Sequence, residues 1–199
     1  MSSSKAARVA SAPLVDVEGT WQRHVSAPYS DRALDGRRGY GRWGTGDGFP
    51  VLYLGRPTDS VVVEAYRHLI DPVLDDAPPL QPRVLVTASV AVTEIVDLRS
   101  AAGRLLVGLV PADLTSGTDD REAYARCQEV AQVAHQLGRR GLITPAATEV
   151  GETLVLFTDL LPQQQRPMRS ADDVLWTALP PDPRNRTTPR LRVVPDVGS

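Results

Sequence analysis

Three features of this chain predict an α+β fold built on a bent or split, antiparallel-rich sheet. Val84, Val86, Ala88, Val90 and Val92 alternate in phase within residues 83–98, and the pattern shifts at Ile95. Only two segments, residues 58–70 and 119–137, carry good helical periodicity, and they are set apart rather than alternating regularly with strands. The glycines at 44, 46 and 48 precede a strand rather than opening a helix, so they do not form the phosphate turn of a Rossmann unit.

Residues 1–17 are small and polar without periodicity, and read as a disordered leader. A first strand includes residues 21–25, and residues 29–48, rich in Gly, Arg and Asp, read as a loop. Residues 51–54 form a short apolar strand. The helix that follows takes its cap from Thr58 or Asp59 and is stopped by Pro72. Residues 75–82 hold three prolines and form a connector. Residues 105–110 fit a strand or the start of a helix equally. The helix at 119–137 has an acidic first turn and arginines at its end, as the macrodipole favours, and Gly138 and Gly141 close it. Residues 142–144 and 153–160 read as strands joined by a turn at Gly151. Residues 18–162 make the domain. Residues 163–199, rich in Gln, Pro and Arg, read as a partly docked extension whose apolar patch is residues 174–179.

The 199 residues suffice for one domain with its own core, and the hydrophobic and charged fractions of 42% and 23% are ordinary. A net charge of -2 supplies no pull toward nucleic acid or an anionic membrane. The one cysteine, Cys127, excludes an internal disulfide and fits a reducing, cytoplasmic setting. No signal peptide is legible, and no stretch approaches the ~20 apolar residues of a membrane span. Lys5 is the only lysine, so the cationic groups are nearly all planar guanidiniums suited to phosphate.

The densest chemistry lies in residues 41–66. On a helical wheel Ser60, Glu64, Arg67 and His68 group opposite an apolar face of Val62, Ala65, Tyr66 and Leu69. Glu64 then reads in two ways: a solvated glutamate paired with Arg67 and His68 one turn on, or a carboxylate lining a cleft. In the second role it would stabilise an oxocarbenium-like state or orient a ribose hydroxyl. Tyr53 ends its strand as an amphipathic rim residue, or as an aromatic face for a cationic nicotinamide. Arg23 lies within a strand and Arg42 between Gly41 and Trp43, so both are held in place and suit the two charges of a pyrophosphate. His24, His68 and His135 have no ligand spacing with Cys127, which argues against a metal site. No Gly-x-Ser-x-Gly motif supports a serine triad, and Cys127, in mid-helix, reads as a small core residue. Arg184, Arg186, Arg190 and Arg192 read as a solvated basic tail.

The order Gly41-Arg42-Trp43, then Leu52-Tyr53-Leu54, then Glu64 early in a helix resembles the RES-domain family, the toxins of RES–Xre toxin–antitoxin pairs. The likeness spans residues 21–161 and includes Arg23, Cys127-Gln128, Gly141-Leu-Ile-Thr-Pro-Ala-Ala and the strand around residues 154–157. It implies a fold like that of ADP-ribosyltransferases and cleavage of NAD+ at the nicotinamide–ribose bond, by hydrolysis or by phosphorolysis with inorganic phosphate as second substrate. It places Arg23, Tyr53 and Glu64 on the catalytic positions, and His24, Arg42, Trp43 and Gln128 with Arg23 and Tyr53 on the substrate surface. It implies no cofactor. It also implies an Xre-type helix-turn-helix antitoxin that covers the site, with oligomers forming only through that partner. An ADP-ribosyltransferase acting on a macromolecule, and a catalytically silent binding module, are the alternatives. Two departures stand out: Ala146 where many members carry serine, and Gly44 where asparagine is usual.

Overall fold

The computed structural model describes residues 2–72 and 81–185. Its longest strand, β3 (Arg83–Asp97), pairs antiparallel with β1 (Leu14–Ser26) along nearly its whole length, from Leu14 opposite Val96 to Ser26 opposite Arg83. β1 also meets β2 (Val51–Arg56), but only through the pair Gln22 and Gly55. β2 pairs antiparallel with β5 (Glu152–Phe157), and β5 with β4 (Gly141–Pro145). β4 then runs parallel to the end of β3. The pairings close on themselves, and every step except β4 with β3 is antiparallel. With one pair of partners holding them, β1 and β2 part on either side of Gln22 and Gly55. That parting is the split in the sheet.

Alternation along the strands sorts the core into two layers. Leu52, Leu54, Ile143, Leu154 and Leu156 point inward with Trp21, Val90, Val92 and Ile95. Their neighbours Val51, Tyr53, Leu142, Val155 and Phe157 point outward, under the helices. β2, β4 and β5 are therefore apolar on both faces, which is why they appear in the sequence as unbroken apolar runs. The phase shift before Ile95 has a local cause. Glu94 adopts φ 60°, the left-handed region, and this residue turns the alternation so that Val92 and Ile95 both face the interior.

The helices are α1 (Ser2–Ala10), α2 (Thr58–Leu69), α3 (Ala101–Leu106), α4 (Pro111–Thr115) and α5 (Arg121–Gln136). α1 corrects the disordered leader: residues 2–10 are helical and β1 begins at Leu14. A helix this short has little stability alone. Docking holds it: Val9 is fully buried among Val107, Val130 and other core residues, and Lys5 pairs with Glu129 of α5 at 2.8 Å. Residues 105–110 are mostly neither strand nor helix. Leu105 and Leu106 end α3, Gly108 turns the chain with φ 79°, and Pro111 opens α4. α2 begins at Thr58 as expected, yet its N-cap is Pro57 and no side chain caps it. Gly55 lets it lie close to β2, since a Cβ there would stand 3.0 Å from Val61 Cγ2. Most of the proline connector, residues 73–80, lies outside the described residues.

The extension is docked as far as residue 185. β6 (Met168–Arg169) and β7 (Val174–Trp176) add to the edge of β3. Trp176 is buried against Val61, Val62, Ala65 and Leu85. Beyond it, Tyr66 Oη donates to the Pro180 carbonyl and Arg184 pairs with Asp71 and Asp182. Arg184 is therefore an anchor rather than a solvated charge, while Arg186, Arg190 and Arg192 fall outside the described residues.

Candidate active site

A cleft of about 670 Å³ opens where β1 and β2 part. β1 supplies Arg23 and His24 to its wall, β2 supplies Tyr53, and α2 supplies Glu64, Arg67 and His68. The far wall is the turn after Tyr40, the end of α4 and Tyr124 of α5.

Glu64 sits on the polar face of α2 as its spacing predicts, and of the two partners expected one turn on it bonds His68, while Arg67 turns to backbone carbonyls. Glu64 faces the cleft, its Oε1 2.7 Å from His68 Nε2, with 41% of its side chain still reaching solvent. Burial between the cleft walls pushes its pKa upward, but the hydrogen bond and charge of His68, helped by Arg67, outweigh that and hold the carboxyl below its ordinary value. The same contact raises His68. Glu64 is thus an anion at neutral pH.

His24 is fixed in one protonation state. Arg83 Nε donates to its Nδ1 at 2.7 Å, and a guanidinium has only donors, so Nδ1 accepts and the ring proton lies on Nε2. Trp176 stacks on the ring at 6.1 Å. Burial, reinforced by the Arg83 charge, pushes the His24 pKa down to about 3, so the ring stays neutral. Arg23, its neighbour on the opposite face of β1, donates from Nη1 to the Ala33 carbonyl at 2.8 Å. Burial, with Arg37 and Arg83 nearby, lowers Arg23 to about 10, leaving it a cation among cations.

Tyr53, Trp43 and Gln128 form one device. The turn from Gly41 to Gly44 closes through backbone bonds in both directions. Gln128 Nε2 donates to the Gly41 and Gly44 carbonyls from behind, and Tyr53 Oη accepts the Trp43 N–H at 3.0 Å. Gly41 permits this, because a Cβ there would lie 3.0 Å from Tyr53 Oη. Trp43 is 2% exposed and packs in the core, and the Tyr53 ring is partly buried against the same cluster. Burial raises the Tyr53 hydroxyl well above its ordinary pKa, so it remains a phenol. Tyr53→Phe leaves the buried Trp43 N–H unpaired and is expected to cost about 1–3 kcal/mol of stability. Thermal or urea unfolding reads this directly. An unchanged midpoint would mean the turn does not depend on the tyrosine.

Arg42 reaches the cleft, but its fork is turned to protein. Nη1 bonds the Asp113 carbonyl and Ser116 Oγ, Nη2 bonds the Ser116 carbonyl at 2.6 Å, and the guanidinium lies over the Tyr124 ring. This corrects the expectation that Arg42 offers a full pyrophosphate fork: in this arrangement it clamps the end of α4. Arg67 does similar work, donating to the Ala147 and Thr115 carbonyls.

Six of the seven expected site residues therefore line the cleft. Gln128 does not; it supports the Gly41–Gly44 turn from outside. Cys127 is fully buried with its thiol pushed up to about 11 by burial, as a core residue. Among the described residues no cluster of His, Cys, Asp and Glu could hold a metal ion, and no helix is long and apolar enough to cross a membrane. Ala146 is 3% exposed, whereas Pro145 and Ala147 line the cleft, so the departure at 146 falls behind the wall. Tyr40 and Tyr124 were not foreseen. Tyr40 lies in an irregular loop, and nothing in the local pattern of α5 distinguishes Tyr124 from a core aromatic.

The model of the RES domain matches residues 13–177. The chain belongs to the RES domain family. Among solved structures, this RES domain is similar to a chain in the crystal structure of the M. tuberculosis MbcT–MbcA toxin–antitoxin complex, with 25% identity and a TM-score of 0.72. The match covers 86% of this chain and 91% of that one. The fold is accordingly of the ADP-ribosyltransferase type, α+β with a split sheet. No curated protein gives a significant match.

Proposed function

We propose that this RES domain protein is the toxin of a toxin–antitoxin pair and acts by cleaving the nicotinamide–ribose bond of NAD+ in the cytoplasm. The observation that carries this is Glu64: a carboxylate kept ionised inside a cleft of nucleotide size whose other charges are mostly guanidiniums. Heterolysis sends the glycosidic electron pair to the pyridinium nitrogen, which leaves as neutral nicotinamide. Positive charge then develops on the ribose ring, where an anion stabilises it. Water adds at the anomeric carbon and loses a proton, giving ADP-ribose. Phosphate in the same place gives ADP-ribose 1″-phosphate. Neutral His24 supplies a ring N–H for hydrogen bonding without adding charge. Arg23 anchors the pyrophosphate.

An enzyme that drains NAD+ needs an inhibitor in the same cell, and the relative's toxin–antitoxin complex supports such a partner. The partner in this reading is an Xre-type antitoxin that places an anionic segment over the cleft arginines, using the charge complementarity that serves the substrate.

Incubation of the pure protein with labelled NAD+, with and without phosphate, tests the reading. Release of nicotinamide with free ADP-ribose is expected, or with its 1″-phosphate when phosphate is present. Label on a macromolecule instead would assign the protein to the transferases. No nicotinamide release would end the NAD+ reading.

A further inference from the structure

Tyr40 is unusual for an exposed aromatic. The residue is 63% exposed at the lip of the cleft, yet its ring lies flat against Tyr124, with centroids 5.8 Å apart and planes within 8°. Tyr124 is itself only 7% exposed, and the Arg42 guanidinium carbon sits 4.6 Å from its ring centre. The ordered pair thus presents an aromatic surface to solvent inside a binding cleft. Tyr53 cannot serve in the same way, because its ring packs partly into the core and its hydroxyl holds the Trp43 N–H.

We propose that Tyr40 and Tyr124 form the subsite for the adenine base of the substrate, a reading that rests on the NAD+ assignment and extends it. Charge selects the base. Two cations, Arg42 and Arg67, act on Tyr124 against the single carboxylate of Glu64, so the pyridinium ring of nicotinamide gains less at this wall than directly beside Glu64. Adenine is neutral and has a broad π-face, and it stacks on an aromatic platform without that dependence on charge. The dinucleotide then lies with adenine on the tyrosines, pyrophosphate near Arg23 and the glycosidic bond beside Glu64. Tyr40 becomes the residue that distinguishes an adenine nucleotide from one lacking the base.

Calorimetric titration with AMP and with ribose 5-phosphate, which differ by the base alone, tests this without turnover. The parent is expected to bind AMP the more tightly. Tyr40→Ala is expected to weaken AMP by about tenfold while ribose 5-phosphate changes by less than about twofold, and Tyr40→Phe to retain AMP binding, since stacking needs the ring and not the hydroxyl. Parental AMP affinity in Tyr40→Ala, or equal losses for both ligands, would overturn the subsite. The two readings fail separately. A protein that releases no nicotinamide yet shows this Tyr40-dependent preference sinks the NAD+ reaction and keeps the adenine site. One that consumes NAD+ with no Tyr40 dependence does the reverse.

Discussion

Glu64→Gln is expected to lower NAD+ cleavage by roughly a hundredfold to a thousandfold, the scale of losing one preorganised electrostatic group, while leaving the fold intact. The amide keeps the shape of the side chain and opens no cavity, but it removes the anion that the proposed mechanism sets against developing positive charge. The stability cost is small because both partners of the pair with His68 are more than a third exposed, 41% for Glu64 and 51% for His68. That cost also has a pH window. Glu64 is lowered in the fold, so its contribution is present above its ordinary value of 4.5 and fades as pH falls through the folded value. His68 is raised, so its contribution is present below 6.5 and fades as pH rises through its folded value. The pair is therefore at full strength between 4.5 and 6.5, and the midpoints of parent and variant should differ most there. Nicotinamide release and thermal unfolding, measured side by side, check both halves. Parental turnover in Glu64→Gln would remove the carboxylate from the mechanism. A large fall in midpoint would make it a structural residue instead.

What could be read in the sequence, and what could not, follows from the range of each interaction. Glu64 was legible because a helix repeats locally: Ser60, Glu64, Arg67 and His68 share a face whatever lies opposite. The phase shift before Ile95 was legible for the same reason, although its cause, the left-handed backbone of Glu94, was not. α1 was invisible because its stability comes from Val9 and Lys5 meeting α5, more than a hundred residues away in the chain. Trp43 and Gln128 lie in the region their spacing indicates, and the structure adds packing roles that the sequence does not show. One sits in the core and the other props the turn from behind, which only the fold reveals. Arg42 shows the limit most clearly. Its neighbours Gly41 and Trp43 correctly imply a guanidinium held in place, but its fork was taken up by the Asp113 and Ser116 carbonyls, partners set by tertiary structure.

The two arginines should consequently respond differently to replacement by lysine. Arg23 donates to the Ala33 carbonyl, and it stands near Arg37 and Arg83. Three guanidiniums in one region repel each other, and a bound pyrophosphate relieves that repulsion while accepting hydrogen bonds from the fork. Lysine keeps the charge and loses the planar fork, so Arg23→Lys is expected to weaken NAD+ use by roughly tenfold to a hundredfold, the scale of one charge-assisted contact. The loss should appear mainly in KM, because pyrophosphate binding is common to ground and transition states. Arg42→Lys loses the bonds to the end of α4 and the contact over Tyr124, so its first effect should be a lower unfolding midpoint. Kinetics on NAD+ and thermal unfolding of both variants separate the roles. An Arg23→Lys enzyme with parental KM would remove the pyrophosphate from that arginine. An Arg42→Lys protein of parental stability with a raised KM would return it to Arg42, with substrate displacing the α4 carbonyls from the fork.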